Sequence, residues 1–210
     1  MHTKKINNVF KKLFLDYPKP QTELKFINNF TFLVSVILSA QATDLSVNKA
    51  TKNLFKVVQS PEEMIALGEK KLIKYIKSIG LFNTKAKNLI KLSCILIEKY
   101  RSSIPKNFDA LITLPGVGNK TASVYQNVIL KLPRIAVDTH VFRVSNRIGI
   151  VSAKTTDLTQ IKLEKIVPQK WKIFAHHLLI LHGRKICKSQ KPLCSHCSIS
   201  SYCLYREKNN

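Results

Sequence analysis

An all-α fold is predicted by three features of this 210-residue sequence. Apolar residues recur at helical spacing along almost its whole length, several helix starts carry explicit capping signals, and no segment alternates convincingly as a half-buried strand would. Ile6, Val9, Phe10, Leu13 and Phe14 form one stripe that stops at the Tyr17-Pro18 breaker, so the first element is a helix. Phe30 to Leu38 is nearly all apolar and partly β-branched, which suits a strand in isolation, but Ser35, Ser39 and the helical neighbours favour a buried helix.

Asp44 is placed to cap a helix running through Val58. Ser60-Pro61-Glu62-Glu63 combines an N-cap, a proline at the first helical position and acidic residues in the first turn. Leu72, Ile73, Ile76 and Ile79 mark a helix stopping at Gly80, and Ala86 to Tyr100 and Asp109 to Leu114 mark two more. Thr121 to Leu130, Thr139 to Ile148, Thr156 to Val167 and Trp171 to Gly183 complete the series. There is no internal repeat, low-complexity segment or long linker, so any domain boundary must come from packing.

The 45% hydrophobic content is ordinary for a folded domain, but 35 basic residues against 12 acidic ones give a formal charge of +23. Such an excess points first to nucleic acid, where basic side chains release counterions condensed on phosphates. A lysine-rich proteome is the competing explanation of charge alone. Met1 to Phe14 is basic without an apolar core or a small-residue cleavage site, so no secretory signal is expected. The longest apolar stretch, Phe30 to Ala40, falls far short of the ~20 residues that span a bilayer. The expected protein is an intracellular, cytoplasmic monomer with no membrane partner.

Leu114-Pro115-Gly116-Val117-Gly118-Asn119-Lys120-Thr121-Ala122 lies between two predicted helices. Pro-Gly suits the middle of a type II turn, and Gly118 leaves room for a ligand backbone. Free amides then open a helix whose positive end favours phosphate, so Gly116, Val117 and Gly118 read as a DNA-backbone clamp; the alternative is an ordinary turn between packed helices. Lys120 falls in the first turn, an unfavourable place for a cation unless it meets phosphate or does chemistry. The dipole and nearby cations are expected to depress its pKa and enrich the neutral amine, which can attack a sugar C1′ and form a Schiff base. A phosphate-contact lysine is the plainer alternative.

Ile135-Ala136-Val137-Asp138-Thr139-His140 is a short extended apolar stretch ending in an aspartate before a helix. As an N-cap, Asp138 accepts backbone N–H bonds and stays ionised, able to stabilise oxocarbenium character at C1′ or to help activate a lysine. From this motif alone a purely structural cap is the commoner outcome.

Intracellular cysteines are poor disulfide candidates, and four of the five crowd near the C-terminus. Cys187, Cys194, Cys197 and Cys203 are spaced Cys-x6-Cys-x2-Cys-x5-Cys, close enough for one loop around a single four-thiolate centre. Zinc sites more often use two Cys-x2-Cys pairs, so iron-sulfur is favoured, with His196 a superfluous fifth donor. Cys94 reads as an inert core residue. Arg184, Lys185, Lys188 and Lys191 flank the loop, suggesting that it holds a basic surface against phosphates.

With these motifs and Leu181-His182-Gly183-Arg184 in order, the chain resembles the bacterial endonuclease III family of helix-hairpin-helix DNA glycosylase/AP lyases over nearly its whole length. The resemblance implies a helix-hairpin-helix DNA glycosylase fold: a six-helix barrel over residues 22–132, with the hairpin unit at about 108–127, and a discontinuous iron-sulfur lobe made of 1–21 and 133–210. It implies that Lys120 is the nucleophile, that Asp138 is essential to its activation, and that the four cysteines hold a 4Fe-4S cluster. Gln41 and Leu81 would act at the gap left by a flipped nucleotide, where inserted side chains help hold the opened duplex. Arg184, Lys188 and Lys191 would contact DNA. Asn119 departs from the family, which often has a basic residue there, and puts one secondary phosphate contact in doubt.

The expected function is excision of oxidised or ring-saturated pyrimidines from damaged duplex DNA, with β-elimination through a lysine Schiff base. A monofunctional mismatch glycosylase would activate water instead, and Lys120 argues against it, as does the lack of room after the cysteines for a mismatch-reading domain. A non-catalytic iron-sulfur redox sensor would share the charge, hairpin and cysteines without requiring Lys120 and Asp138 together.

Overall fold

The computed structural model describes residues 2–205 and contains helices and turns but no strand among them. Two compact units emerge from the packing: an internal unit, Glu23–Leu130, and a terminal unit assembled from Met1–Thr22 and Lys131–Asn210.

The internal unit holds α2 (Asn29–Leu38), α3 (Asp44–Leu54), α4 (Pro61–Leu67), α5 (Glu69–Ile76), α6 (Phe82–Tyr100), α7 (Phe108–Ile112) and α8 (Asn119–Val128). α2 is the apolar run that suited either period; a reciprocal capping box between Asn28 and Thr31 starts it as a helix, and Phe30 to Leu38 are all buried. It packs on α8, α3 and α6, so a face for every neighbour explains why it shows no polar stripe. Ser60 caps α4 and Pro61 opens it as expected, Glu63 completes a capping box, and Gly68, at φ +73°, both ends α4 and precedes α5. α3 is capped by Thr43, not Asp44, which is already helical, and it ends at Leu54 before a turn. α6 starts four residues earlier than its apolar pattern suggested, and α7 is capped by Asn107. Cys94 lies half-buried on α6 rather than in the core.

The terminal unit holds α1 (Thr3–Asp16), α9 (Thr139–Ile148), α10 (Thr156–Ile166), α11 (Gln169–Lys185) and two 3-10 turns, Cys194–His196 and Ser200–Tyr202. Ile6, Val9, Phe10 and Leu13 of α1 share one core with Val141, Val144, Leu163, Leu178, Leu179 and Ile199. The indole N–H of Trp171 donates to Asn7 at 2.9 Å, tying the start of α11 to α1. α9 and α11 pack closely because Gly183 has no side chain: a Cβ there would lie 3.0 Å from Val144 Cγ2 and 3.1 Å from His140 Cβ.

Candidate nucleic-acid interface and cysteine loop

In the internal unit, α7 and α8 are joined by a tight turn closed by Val117 N–H donating to the Leu114 carbonyl at 3.0 Å. Gly116 sits at φ +82°, the left-handed geometry a type II turn needs at that position, and a Cβ there would meet Ile37 Cγ2 at 3.2 Å. Leu114 and Val117 are buried, so Val117 offers a ligand its backbone only. Gly118 is the N-cap of α8 and makes no side-chain cap bond; nothing lies within 4 Å of where its Cβ would stand. The first turn of α8 thus has no side-chain cap and an uncrowded N-cap residue, which suits an anion. Lys120, in that turn, is exposed and joins no ion pair among the described residues.

Gln41 and Leu81 both adopt left-handed backbone, at φ +55° and +60°, conformations that cost side-chain-bearing residues energy and persist only where surroundings hold them. Leu81 is 56% exposed although apolar, and the Gln41 carbonyl lies 3.8 Å from where a Cβ on the adjoining Gly80 would stand. Sequence reasoning singled out both residues but not what holds them. Lys85, buried to 5% exposure, donates from Nζ to the carbonyls of Leu38 at 2.9 Å and Ala40 at 2.6 Å. Burial lowers its pKa.

In the terminal unit, the extended segment before α9 is fixed on three sides. Arg134 pairs with Glu164 at 3.3 Å, the Ile135 N–H donates to the same carboxylate at 3.1 Å, and His176 Nδ1 lies 2.8 Å from the Ala136 carbonyl. A carbonyl only accepts, so His176 carries its proton on Nδ1. This frame delivers Asp138 to the start of α9, where Oδ1 accepts the Val141 N–H at 2.8 Å. Asp138 is a true N-cap, half-buried. Beside it, burial lowers the pKa of His140; Asp138 opposes that shift, while Arg143 and Arg184 reinforce it. At neutral pH the imidazole is uncharged, and its Nδ1 accepts from Arg143 at 3.2 Å.

Cys187, Cys194, Cys197 and Cys203 line one cavity, walled by Ile148, Ile186 and Ile199. His196 is exposed and absent from its lining, which leaves the four cysteines as candidate donors. Among the described residues no three metal-binding side chains gather closely enough to hold a metal ion, although all four cysteines line the same cavity. Soft thiolate donors in an apolar surround fit a cluster. His182 also lines the cavity, with Nε2 3.6 Å from Cys197 Sγ; burial pushes its pKa down to about 4, leaving it neutral.

Two arginines that sequence reasoning passed over tie this loop to α9. Arg143 donates to the carbonyls of Gly183 and Cys187, each at 3.0 Å, and Arg147 donates to those of Lys188 at 2.6 Å and Ser189 at 2.9 Å. Their spacing of four on one helix face was the available signal, but nothing in the sequence said which loop that face meets. Arg184, Lys188 and Lys191 are exposed, whereas Lys185 holds its ammonium over the Tyr17 ring at 5.4 Å.

No helix among the described residues is long and apolar enough to cross a membrane. Residues 34–169 match the family model of the HhH-GPD superfamily base excision DNA repair proteins. The chain is 55% identical over 205 residues to endonuclease III of Rickettsia prowazekii (strain Madrid E), covering 98% of this chain and 97% of that protein. It is 49% identical to endonuclease III of Escherichia coli (strain K12), covering 91% and 90% respectively. Among solved structures, a trapped endonuclease III–DNA covalent intermediate in an estranged-adenine complex superposes with a TM-score of 0.92 at 40% identity, covering 97% of this chain and 96% of that one.

Proposed function

The chain belongs to the HhH-GPD superfamily of base excision DNA repair proteins, with the all-helical fold of endonuclease III, and from that premise we propose which of its residues carry the reaction. It is a base-excision repair enzyme of the endonuclease III kind, a bifunctional DNA glycosylase/AP lyase. Oxidised or ring-saturated pyrimidines in duplex DNA are its substrates, and it works as a monomer in the cytoplasm, on the nucleoid. The division into a barrel over 22–132 and a cluster lobe from 1–21 and 133–210 assigns the hairpin to the first and the cysteine loop to the second.

Lys120 is the nucleophile. The supporting observation is its exposed, unpaired amine in the first turn of α8, directly after a glycine cap with open space around it. Its neutral Nζ attacks C1′ of an extruded nucleotide, the C1′–N bond breaks, and the base leaves with the bonding pair and takes up a proton. Loss of a proton from nitrogen and opening of the sugar ring give a C1′ Schiff base. Removal of a C2′ proton then expels the 3′ phosphate by β-elimination, cutting the strand 3′ to the lesion; water finally hydrolyses the imine. Asp138, whose carboxylate is oriented by the Val141 amide, stabilises positive character at C1′ and assists the lysine. The Gly116–Gly118 backbone, with Arg184, Lys188 and Lys191, grips phosphates, while Gln41 and Leu81 fill the gap left by the flipped nucleotide.

The four cysteines hold a 4Fe-4S cluster, which supplies a rigid centre for the loop rather than a reacting group. That a relative 40% identical has been solved as a covalent DNA intermediate supports the amine chemistry. Borohydride trapping on a duplex with an abasic site or thymine glycol tests it. Wild type is expected to give a covalent adduct, and Lys120→Ala to lose adduct and strand cleavage by at least about a thousandfold while keeping DNA affinity within a few-fold. An adduct that survives in the variant would move the nucleophile elsewhere.

A further inference from the structure

The end of α2 poses a local problem. A helix leaves its last carbonyls without intrahelical partners, its C-terminus carries the negative end of the dipole, and α2 has no basic residue in its last turn. Beyond it the chain turns at once into the Ser39–Thr43 loop, with Gln41 in left-handed backbone. Lys85, from α6, supplies the missing cation. Its Nζ donates to Leu38, the last residue of α2, and to Ala40, inside the loop.

The same residue also holds the other side. The Lys85 backbone N–H donates to the Leu81 carbonyl at 3.0 Å, the bond that carries left-handed Leu81 into the first turn of α6. Between the two anchors, Gly80 lies against the Gln41 carbonyl. Lys85 therefore touches both unusual segments, one through its side chain and one through its backbone. A buried ammonium is costly unless it is well partnered, and an apolar residue would fill the same volume without that cost. A function for the charge has to come from what it holds.

We propose that Lys85 is a positioning residue for duplex opening, locking Gln41 and Leu81 into one preformed wedge before DNA is met. The inference rests on the reading above that these two side chains occupy the gap left by a flipped nucleotide. A preformed wedge enters the base stack without first ordering two loops, so the benefit falls on substrates that must be opened.

The test compares single-turnover cleavage of an abasic site in a fully paired duplex with cleavage of the same site inside a short unpaired bubble. Lys85→Met keeps the aliphatic stem and removes the donors. The expected result is a duplex-to-bubble rate ratio at least tenfold below wild type, with a weaker 2-aminopurine unstacking signal on binding duplex. Lys85→Gln, which retains donors without charge, is expected to recover part of the ratio, and it serves as the probe if the methionine variant does not fold. An equal loss on both substrates, or an unchanged ratio, overturns the proposal. Gln41→Ala and Leu81→Ala run in parallel: if neither lowers the ratio, the wedge reading itself fails, whereas if both do and the Lys85 variants do not, only the role of Lys85 fails. Adding Lys85→Met to Leu81→Ala should lower the ratio little further.

Discussion

The two units reach their functional geometry by different routes. The internal unit is made of one uninterrupted stretch, Glu23–Leu130, whose wedge and hairpin depend on backbone choices: a left-handed glycine at 116, left-handed Gln41 and Leu81, and a buried lysine that holds them. The terminal unit gathers the two ends of the chain, and its parts are joined by side chains: Trp171 to Asn7, Arg143 and Arg147 to the cysteine loop, His176 to the segment before Asp138. Local backbone geometry suits features that must approach a ligand closely, where a side chain would intrude. Long-range polar ties suit an assembly whose pieces are far apart in sequence and carry a large loop-closure cost.

If that contrast is right, removing one thiolate should damage the terminal unit far more than the internal one. Cys197→Ser is expected to abolish visible cluster absorbance and cost several kcal/mol, about 10 °C in apparent Tm. Hydrogen exchange would localise the loss to α1 and α9–α11, with α2 and α6 still protected; uniform deprotection would mean that the units do not differ as described.

Acid should separate the units next. His177, buried on α11, has its pKa pushed down to about 3, first by burial and then by the charges of His176, Lys131 and Arg184. A group whose folded pKa lies below its unfolded value of about 6.5 supports the fold fully above pH 6.5, and that support fades as pH falls toward 3. By pH 4 the loss should be on the order of 3 kcal/mol by this linkage, confined to the terminal unit. Urea titrations from pH 7 to 4 would show it, and a His177→Phe variant should flatten the slope; an unchanged slope would assign acid sensitivity to other groups.

The smallest effect tests the internal unit's reliance on backbone. Gly116→Ala places a Cβ at positive φ and against Ile37, for an expected cost of about 1–2 kcal/mol, with a several-fold loss of DNA affinity and little change in the terminal unit's exchange. Stability equal to wild type would mean that the turn relaxes to another type.

Much of this architecture is legible in the residues, and the reason differs by element. The Ser60–Glu63 box, the Pro-Gly turn and the cysteine spacing are local signals, written within a few positions of where they act. The cap of α3 is not set by residue type alone: Thr43 caps it while Asp44, which the sequence marked, enters the helix, because the choice depends on where the preceding loop leaves the chain. Periodicity could not settle α2 either, since a helix buried on every side loses the polar stripe that periodicity detects.

The helical class, the hairpin with its lysine, the N-cap aspartate and the thiol loop are each encoded by residue types at short range. Packing, by contrast, is what brings Lys85 across to Leu38 and Ala40, turns Arg143 and Arg147 to the cysteine loop, and sets His176 against the approach to Asp138. Those partners lie about 40 residues apart. A buried polar group must find an acceptor somewhere, but composition and spacing do not say which one, because that is fixed only when the packed elements set the distance and direction between them.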